Sequence, residues 1–145
     1  MKYGEKIANQ EYIKRDGVYG ISFNSDHKVA LVKLPYGYFL PGGGVENDES
    51  HECCLKREYI EEVGYTIELI EFVGCASQYT FSHKKNRHYE LVGNFYLVEI
   101  KDCCEGKIEH DHELVWRDIA EVPYIMNLEY QEQSIINAYK KFIQR

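Results

Sequence analysis

The chain has 145 residues, 44% of them hydrophobic and 28% charged, a size and balance that suit one compact domain and exclude disordered, collagen-like and coiled-coil classes. Its net charge of −7 speaks against a partner whose affinity comes from a long run of backbone phosphates, so no nucleic acid polymer is expected. No apolar run approaches the length of a membrane span, and Met1-Lys2-Tyr3-Gly4-Glu5-Lys6 is not followed by an apolar stretch, so no membrane association and a cytoplasmic location are expected.

In chain order, Gly17 to Phe23 is strand-like, Asn24-Ser25-Asp26 has turn chemistry, and Val29 to Leu34 is a second strand; the two read as a hairpin. Pro35-Tyr36-Gly37-Tyr38 reads as a short loop leading through Phe39-Leu40 into Pro41-Gly42-Gly43-Gly44. A helical pattern runs from about Ser50 to Val63 and stops at Gly64, with Ser50 or Asp48 as its N-terminal cap. Thr66 to Gly74 and His88 to Ile100 favour strands, separated by the basic loop Ser82-His83-Lys84-Lys85-Asn86-Arg87, and Glu113 to Trp116 suits a further short strand. Leu128, Ile135, Tyr139 and Phe142 recur at helical spacing and predict one apolar face of a C-terminal helix. Strands mixed with two helices around one core make the expected class α/β. The cysteines, four of them in the adjacent pairs Cys53-Cys54 and Cys103-Cys104, read as free thiols with no zinc-ligand spacing.

The informative stretch is Gly43 to Tyr65. On a helix Glu58, Glu61 and Glu62 share a face, because residues three and four apart lie one turn along the same side. Their mutual repulsion costs a few tenths of a kcal/mol per pair, roughly, and calls for a compensating partner. Leu55, Tyr59 and Val63 form an apolar stripe on another side, so the helix can pack on a sheet while presenting hard oxygen ligands suited to Mg²⁺ or Mn²⁺. Arg57 lies eight residues after Glu49 and adjoins Glu58, so its fixed fork of donors is placed to orient those carboxylates.

With Gly43, Glu49, Arg57-Glu58, Glu61-Glu62 and Gly64 at these spacings, the stretch resembles the Nudix box, G-x5-E-x7-R-E-U-x-E-E-x-G-U with U a bulky apolar residue, and matches it at every polar and glycine position. Phe39 to Glu46 resembles the family's approach to the box, and Trp116 its common late tryptophan. Tyr59 and Tyr65 stand where aliphatic residues are more frequent, Asp48 where glycine is, and Cys53-Cys54 where an alanine pair is; none of these departures removes a ligand.

The resemblance implies a Nudix α/β/α sandwich with a mixed β-sheet over residues 1–145, and a MutT-like hydrolase. Glu58, Glu61, Glu62 and the Gly43 carbonyl would ligate a divalent metal, Mg²⁺ or else Mn²⁺, and Arg57 and Glu49 would fix Glu58 by a salt bridge. The first choice of general base is Glu58, with Glu109, Asp111 and Glu113 as later carboxylates; His110 and His112 beside them read as surface residues. Lys33, Lys84, Lys85 or Arg87 could meet a phosphate, and Tyr36 and Tyr38 could stack on a base. The expected partner is a small nucleoside diphosphate derivative, handled by a monomer or homodimer. A nucleoside triphosphate pyrophosphohydrolase comes first, favoured slightly by the compact size. An ADP-ribose or nucleotide-sugar pyrophosphatase is the alternative, and a nucleotide-sensing domain without catalysis is the reading from another class.

Overall fold

A computed structural model describes residues 1–104, 106 and 109–145. Its strands are β1 (Lys2–Tyr3), β2 (Ile13–Ile21), β3 (Lys28–Leu34), β4 (Gly37–Phe39), β5 (Gly42–Gly44), β6 (Tyr65–Ser82), β7 (Arg87–Cys103) and β8 (Glu113–Asp118). The helices are α1 (His51–Val63), the single turn α2 (Val122–Ile125) and α3 (Glu129–Phe142). One sheet has the order β1-β6-β7-β2-β5 and mixes parallel pairs (β1 with β6, β2 with β7) with antiparallel ones (β6 with β7, β2 with β5). The other, β4-β3-β8, is antiparallel.

Helices cover the strands from both sides. Val18, Val32, Cys54, Leu55, Tyr59, Val63, Ile67 and Val98 form a core under α1. Ile21, Val29, Leu31, Leu40, Phe95, Tyr130, Ile135 and Ala138 form a second core under α3. Strand β3 feeds both by alternation, Val29 and Leu31 turning one way and Val32 the other, as the two-residue period of a strand requires. The result is an α/β/α sandwich around mixed strands.

The structure departs from the sequence reading in two strands. The strands on either side of Asn24 do not form a ladder: after one antiparallel bridge, Phe23 with Val29, β2 joins the five-stranded sheet and β3 the three-stranded one. The turn chemistry is real, since Asn24 Oδ1 accepts from the amides of Asp26 and Lys28 at 3.0 and 2.9 Å. What sends the strands apart is that each has two apolar faces to bury, which a shared hairpin with a solvent face would leave half exposed. The strand expected to end at Gly74 instead continues to Ser82, with irregular register at three places between Tyr65 and Gly74, and its hairpin partner starts at Arg87. The basic loop is therefore the tip of one long hairpin.

The C-terminal helix buries Tyr130, Gln131, Ser134, Ile135 and Ala138, whereas Tyr139 and Phe142 lie at its edge against Phe23. Gln131 and Ser134 are accepted inside because Gln131 Oε1 takes the Leu40 amide at 2.8 Å and Ser134 Oγ donates to the Tyr130 carbonyl at 2.8 Å.

Candidate active site

Helix α1 is held at both ends by its own sequence. Ser50 caps the start, its hydroxyl accepting from the Cys53 amide at 3.1 Å, and Gly64 ends it at φ 77°, in the left-handed region, with its amide on the Tyr59 and Ile60 carbonyls. Leu55, Tyr59 and Val63 are buried, which orients the helix on the sheet and turns the glutamates toward the Gly42–Gly44 strand.

That strand is built to receive them. The Gly42 amide donates to Glu62 Oε1 at 3.0 Å. A Cβ on Gly43 would stand 2.6 Å from the Glu58 carboxylate, so only glycine lets the backbone approach this closely. Beneath the turn, the Cys54 thiol lies 3.7 and 3.6 Å from the Gly43 and Gly44 carbonyls, and burial pushes it up to about 12, so it stays neutral. The cysteine in place of a smaller residue is thus a packed wedge under the loop.

Arg57 gathers the carboxylates. Its Nε and Nη2 donate to the two oxygens of Glu49 at 3.1 and 2.6 Å, and Nη1 donates to Glu58 Oε1 at 3.0 Å and Glu61 Oε2 at 3.1 Å. Nη2 also reaches the Gly44 carbonyl at 3.1 Å. The guanidinium holds Glu49 far down, at about 2, while Glu58 is raised because its burial outweighs Arg57's attraction. Glu62, 13% exposed, is pushed up to about 8 by burial and by Glu58, Glu109 and Glu61 around it. Buried, mutually repelling carboxylates are the environment that a divalent cation relieves, and the donors are hard oxygens, so the residues fit Mg²⁺ or Mn²⁺.

Of the later carboxylates, the structure brings Glu109 to the helix and leaves the other two apart. The Glu109 amide donates to the Glu61 carbonyl at 2.9 Å, and its carboxylate falls within one group with Glu58 and Glu61 and a second with Glu62 and His112, ligand atoms in each lying within 4.8 Å of one another. Asp111 pairs instead with the exposed His110 at 3.1 Å, and Glu113 is exposed on β8. The expectation that His112 is a surface residue is wrong: its side chain is 15% exposed, with Nε2 3.1 Å from Glu109 and 3.4 Å from Glu62. Two histidines alternating with acids look equally polar in sequence; only the fold of the loop against α1 tells one from the other.

An open cleft of about 300 Å³ adjoins this corner, lined by Lys33, Leu34, Pro35, Asp111, His112 and Glu113. Lys33 shares this cleft with His112. Tyr38 turns toward the α3 core, its hydroxyl accepting from Arg117 at 3.4 Å, and Tyr36 is 71% exposed with Phe39 against its ring. Lys84 and Lys85 sit at the hairpin tip that ends at Arg87. Gly44 and Gly93 both align with Gly17, and Arg87 is six residues along β7 from Gly93, on the order of 20 Å at about 3.3 Å per residue. The structure does not bring Lys84, Lys85 or Arg87 to the carboxylates.

The sandwich and the carboxylate-bearing loop–helix–loop define a Nudix-type domain. The model of the NUDIX domain matches residues 13–142, and the chain belongs to that family. No curated protein matches the chain. Among solved structures it is similar to the MutT protein from Methanosarcina mazei Go1, with a TM-score of 0.69 and 18% identity over 94% of this chain and 100% of that one. It is also similar to an ADP-ribose pyrophosphatase from Streptococcus suis 89-1591, at TM-score 0.67 and 19% identity over 88% and 90%. A NUDIX hydrolase from Nitrosomonas europaea is similar at TM-score 0.64 and 20% identity over 88% and 90%. At these identities the likeness is one of fold. No helix among the described residues is long and apolar enough to cross a membrane.

Proposed function

We propose that the chain hydrolyses the diphosphate linkage of a small nucleoside diphosphate derivative with a divalent metal, Mg²⁺ or Mn²⁺, and that its substrate is a nucleoside triphosphate cut to nucleoside monophosphate and pyrophosphate. The observation that carries this reading is the convergence of Glu58, Glu61, Glu62 and Glu109 beside the Gly42–Gly44 strand, far more negative charge than Arg57 neutralises. Those carboxylates, with the Gly43 carbonyl, would hold the ion. When bound, it would neutralise the diphosphate and lower the pKa of an attacking water.

The chain's own residues supply positioning and proton transfer. Arg57, braced on Glu49 and the Gly44 carbonyl, aims one oxygen of Glu58 and leaves the other free to take the water proton. Water attacks phosphorus, the bridging P–O bond between the α and β phosphorus breaks, and its electrons leave on the oxygen of the departing product, the nucleoside monophosphate or pyrophosphate. Lys33, on the wall of the adjoining cleft, would meet a phosphate, and the cleft volume lies at the small end of ligand sites, about 300 Å³.

The test is a Mg²⁺ assay against nucleoside triphosphates, oxidised nucleotides, dinucleoside polyphosphates, nucleotide sugars and ADP-ribose, with products separated. Pyrophosphate and a monophosphate are expected. AMP with a sugar phosphate from ADP-ribose at higher kcat/KM would replace the triphosphate reading, and no hydrolysis of any member would overturn the activity.

A further inference from the structure

The loop before β8 adds a nitrogen donor to a site whose box offers only oxygens. His112 Nδ1 lies 3.0 Å from the His110 carbonyl, which can only accept, so the proton sits on Nδ1 and Nε2 is the nitrogen turned to the carboxylates. An imidazole tied through one nitrogen to a backbone carbonyl is the arrangement that fixes ring and tautomer in metal-binding histidines. The separations are those of a coordination shell: Nε2 is 3.1 Å from Glu109 Oε2 and 3.4 Å from Glu62 Oε2, and neighbouring ligands of an octahedral ion held at about 2.1 Å stand about 3 Å apart. The loop is docked by backbone as well, through the Glu109 amide on the last turn of α1, so the donors come from two elements locked together.

We propose that Glu62, Glu109 and His112 form a mixed nitrogen and oxygen position for a first-row transition ion, next to an all-oxygen position made by Glu58, Glu61 and Glu109, with Glu109 common to both. This rests on the reading that the box carboxylates hold divalent ions, and it assigns His112 a role that the box does not contain. A nitrogen donor shifts preference away from Mg²⁺, which takes oxygen ligands and sheds water reluctantly, toward ions that accept imidazole.

The experiment loads the whole protein with Mn²⁺ alone and records its electron spin-echo modulation, which detects a directly bound imidazole nitrogen. Wild type and His110→Gln are expected to show the imidazole modulation; His112→Gln is expected to bind Mn²⁺ through the box without it. In parallel, His112→Gln is expected to weaken Co²⁺ at least about tenfold, the loss seen even when a mere partner of a ligand is removed, while Mg²⁺ binding changes far less. Circular dichroism of His112→Gln and His112→Ala checks that at least one retains the native fold. Mn²⁺ bound to wild type with no imidazole modulation, or a modulation that survives in His112→Gln, overturns the role of His112 and leaves the box site standing. A wild type that binds no Mn²⁺ overturns both readings.

Discussion

Helices α1 and α3 have nearly the same length and opposite internal economies. Helix α3 buries Gln131 and Ser134 with hydrogen-bond partners, and Lys141 in its last turn and Arg145 beyond its end pair with Glu71 on β6. Helix α1 instead crowds Glu58, Glu61 and Glu62 around one arginine and drives Glu62 toward the protonated state, whereas a buried, unpartnered tyrosine hydroxyl is common to both helices, Tyr59 on α1 and Tyr130 on α3. Charges are balanced on α3 and left crowded on α1. Crowding of this kind concentrates where a protein binds or reacts, since the strain is relieved by what arrives.

The largest effect is expected at Glu62. Glu62→Gln is expected to lower turnover about a thousandfold or more, because removing metal-ion catalysis forfeits several kcal/mol, while the metal-free protein melts no lower than wild type. Steady-state kinetics with a melting curve decides it; unchanged turnover here and in Glu61→Gln would remove the metal from α1. Next in size, Arg57→Ala should lose most activity and about 1–3 kcal/mol of stability, since its hydrogen bonds go to charged partners. Arg57→Lys should not restore it, because an ammonium cannot reproduce the fork that spans Glu49 and Glu58.

On the other helix the signs separate. Gln131→Leu strands the buried Leu40 amide and should cost about 1–3 kcal/mol in denaturant titration with kcat nearly unchanged, a result that would sharpen the division between a structural and a reactive helix.

pH distinguishes them too. Glu62 in the folded, metal-free chain sits at about 8, above its ordinary 4.5, so the folded state binds the extra proton. The resulting stabilisation is complete below about 4.5 and lost as pH rises through about 8. Glu49, held at about 2, acts the other way and only in acid, its contribution lost as pH falls from 4.5 through about 2. Scanning fluorimetry without metal should therefore show a melting temperature that declines from pH 5 to about 8, and saturating Mg²⁺ should flatten or invert that slope, since the ion requires the deprotonated carboxylate. The smallest effect is Ser50→Ala, about 1 kcal/mol for a lost cap, with activity retained.

Much of α1 was legible beforehand because its signals are local: a cap, a left-handed glycine, and apolar residues four apart lie within one short stretch. The glycine strand was less so; it reads as a loop, and becomes a strand because Gly17, Val18 and Tyr19 of β2 lie alongside it. The parting of β2 and β3 into different sheets was hidden for the same reason, as was the extension of β6 past Gly74, whose bulged register depends on a partner far along the chain. At the site, Arg57's partners follow from spacing, whereas the choice of Glu109 over Asp111 and Glu113, and of His112 over His110, depends on how the loop docks on α1.

From sequence alone came the family's box, the capped amphipathic helix and the acidic face, since the spacing of residues along a helix sets which of them share a side. Tertiary structure alone decided which distant carboxylate and imidazole join that face and which basic residues stay at the far hairpin tip, because contacts between elements are set by sheet order and register, which no local pattern encodes.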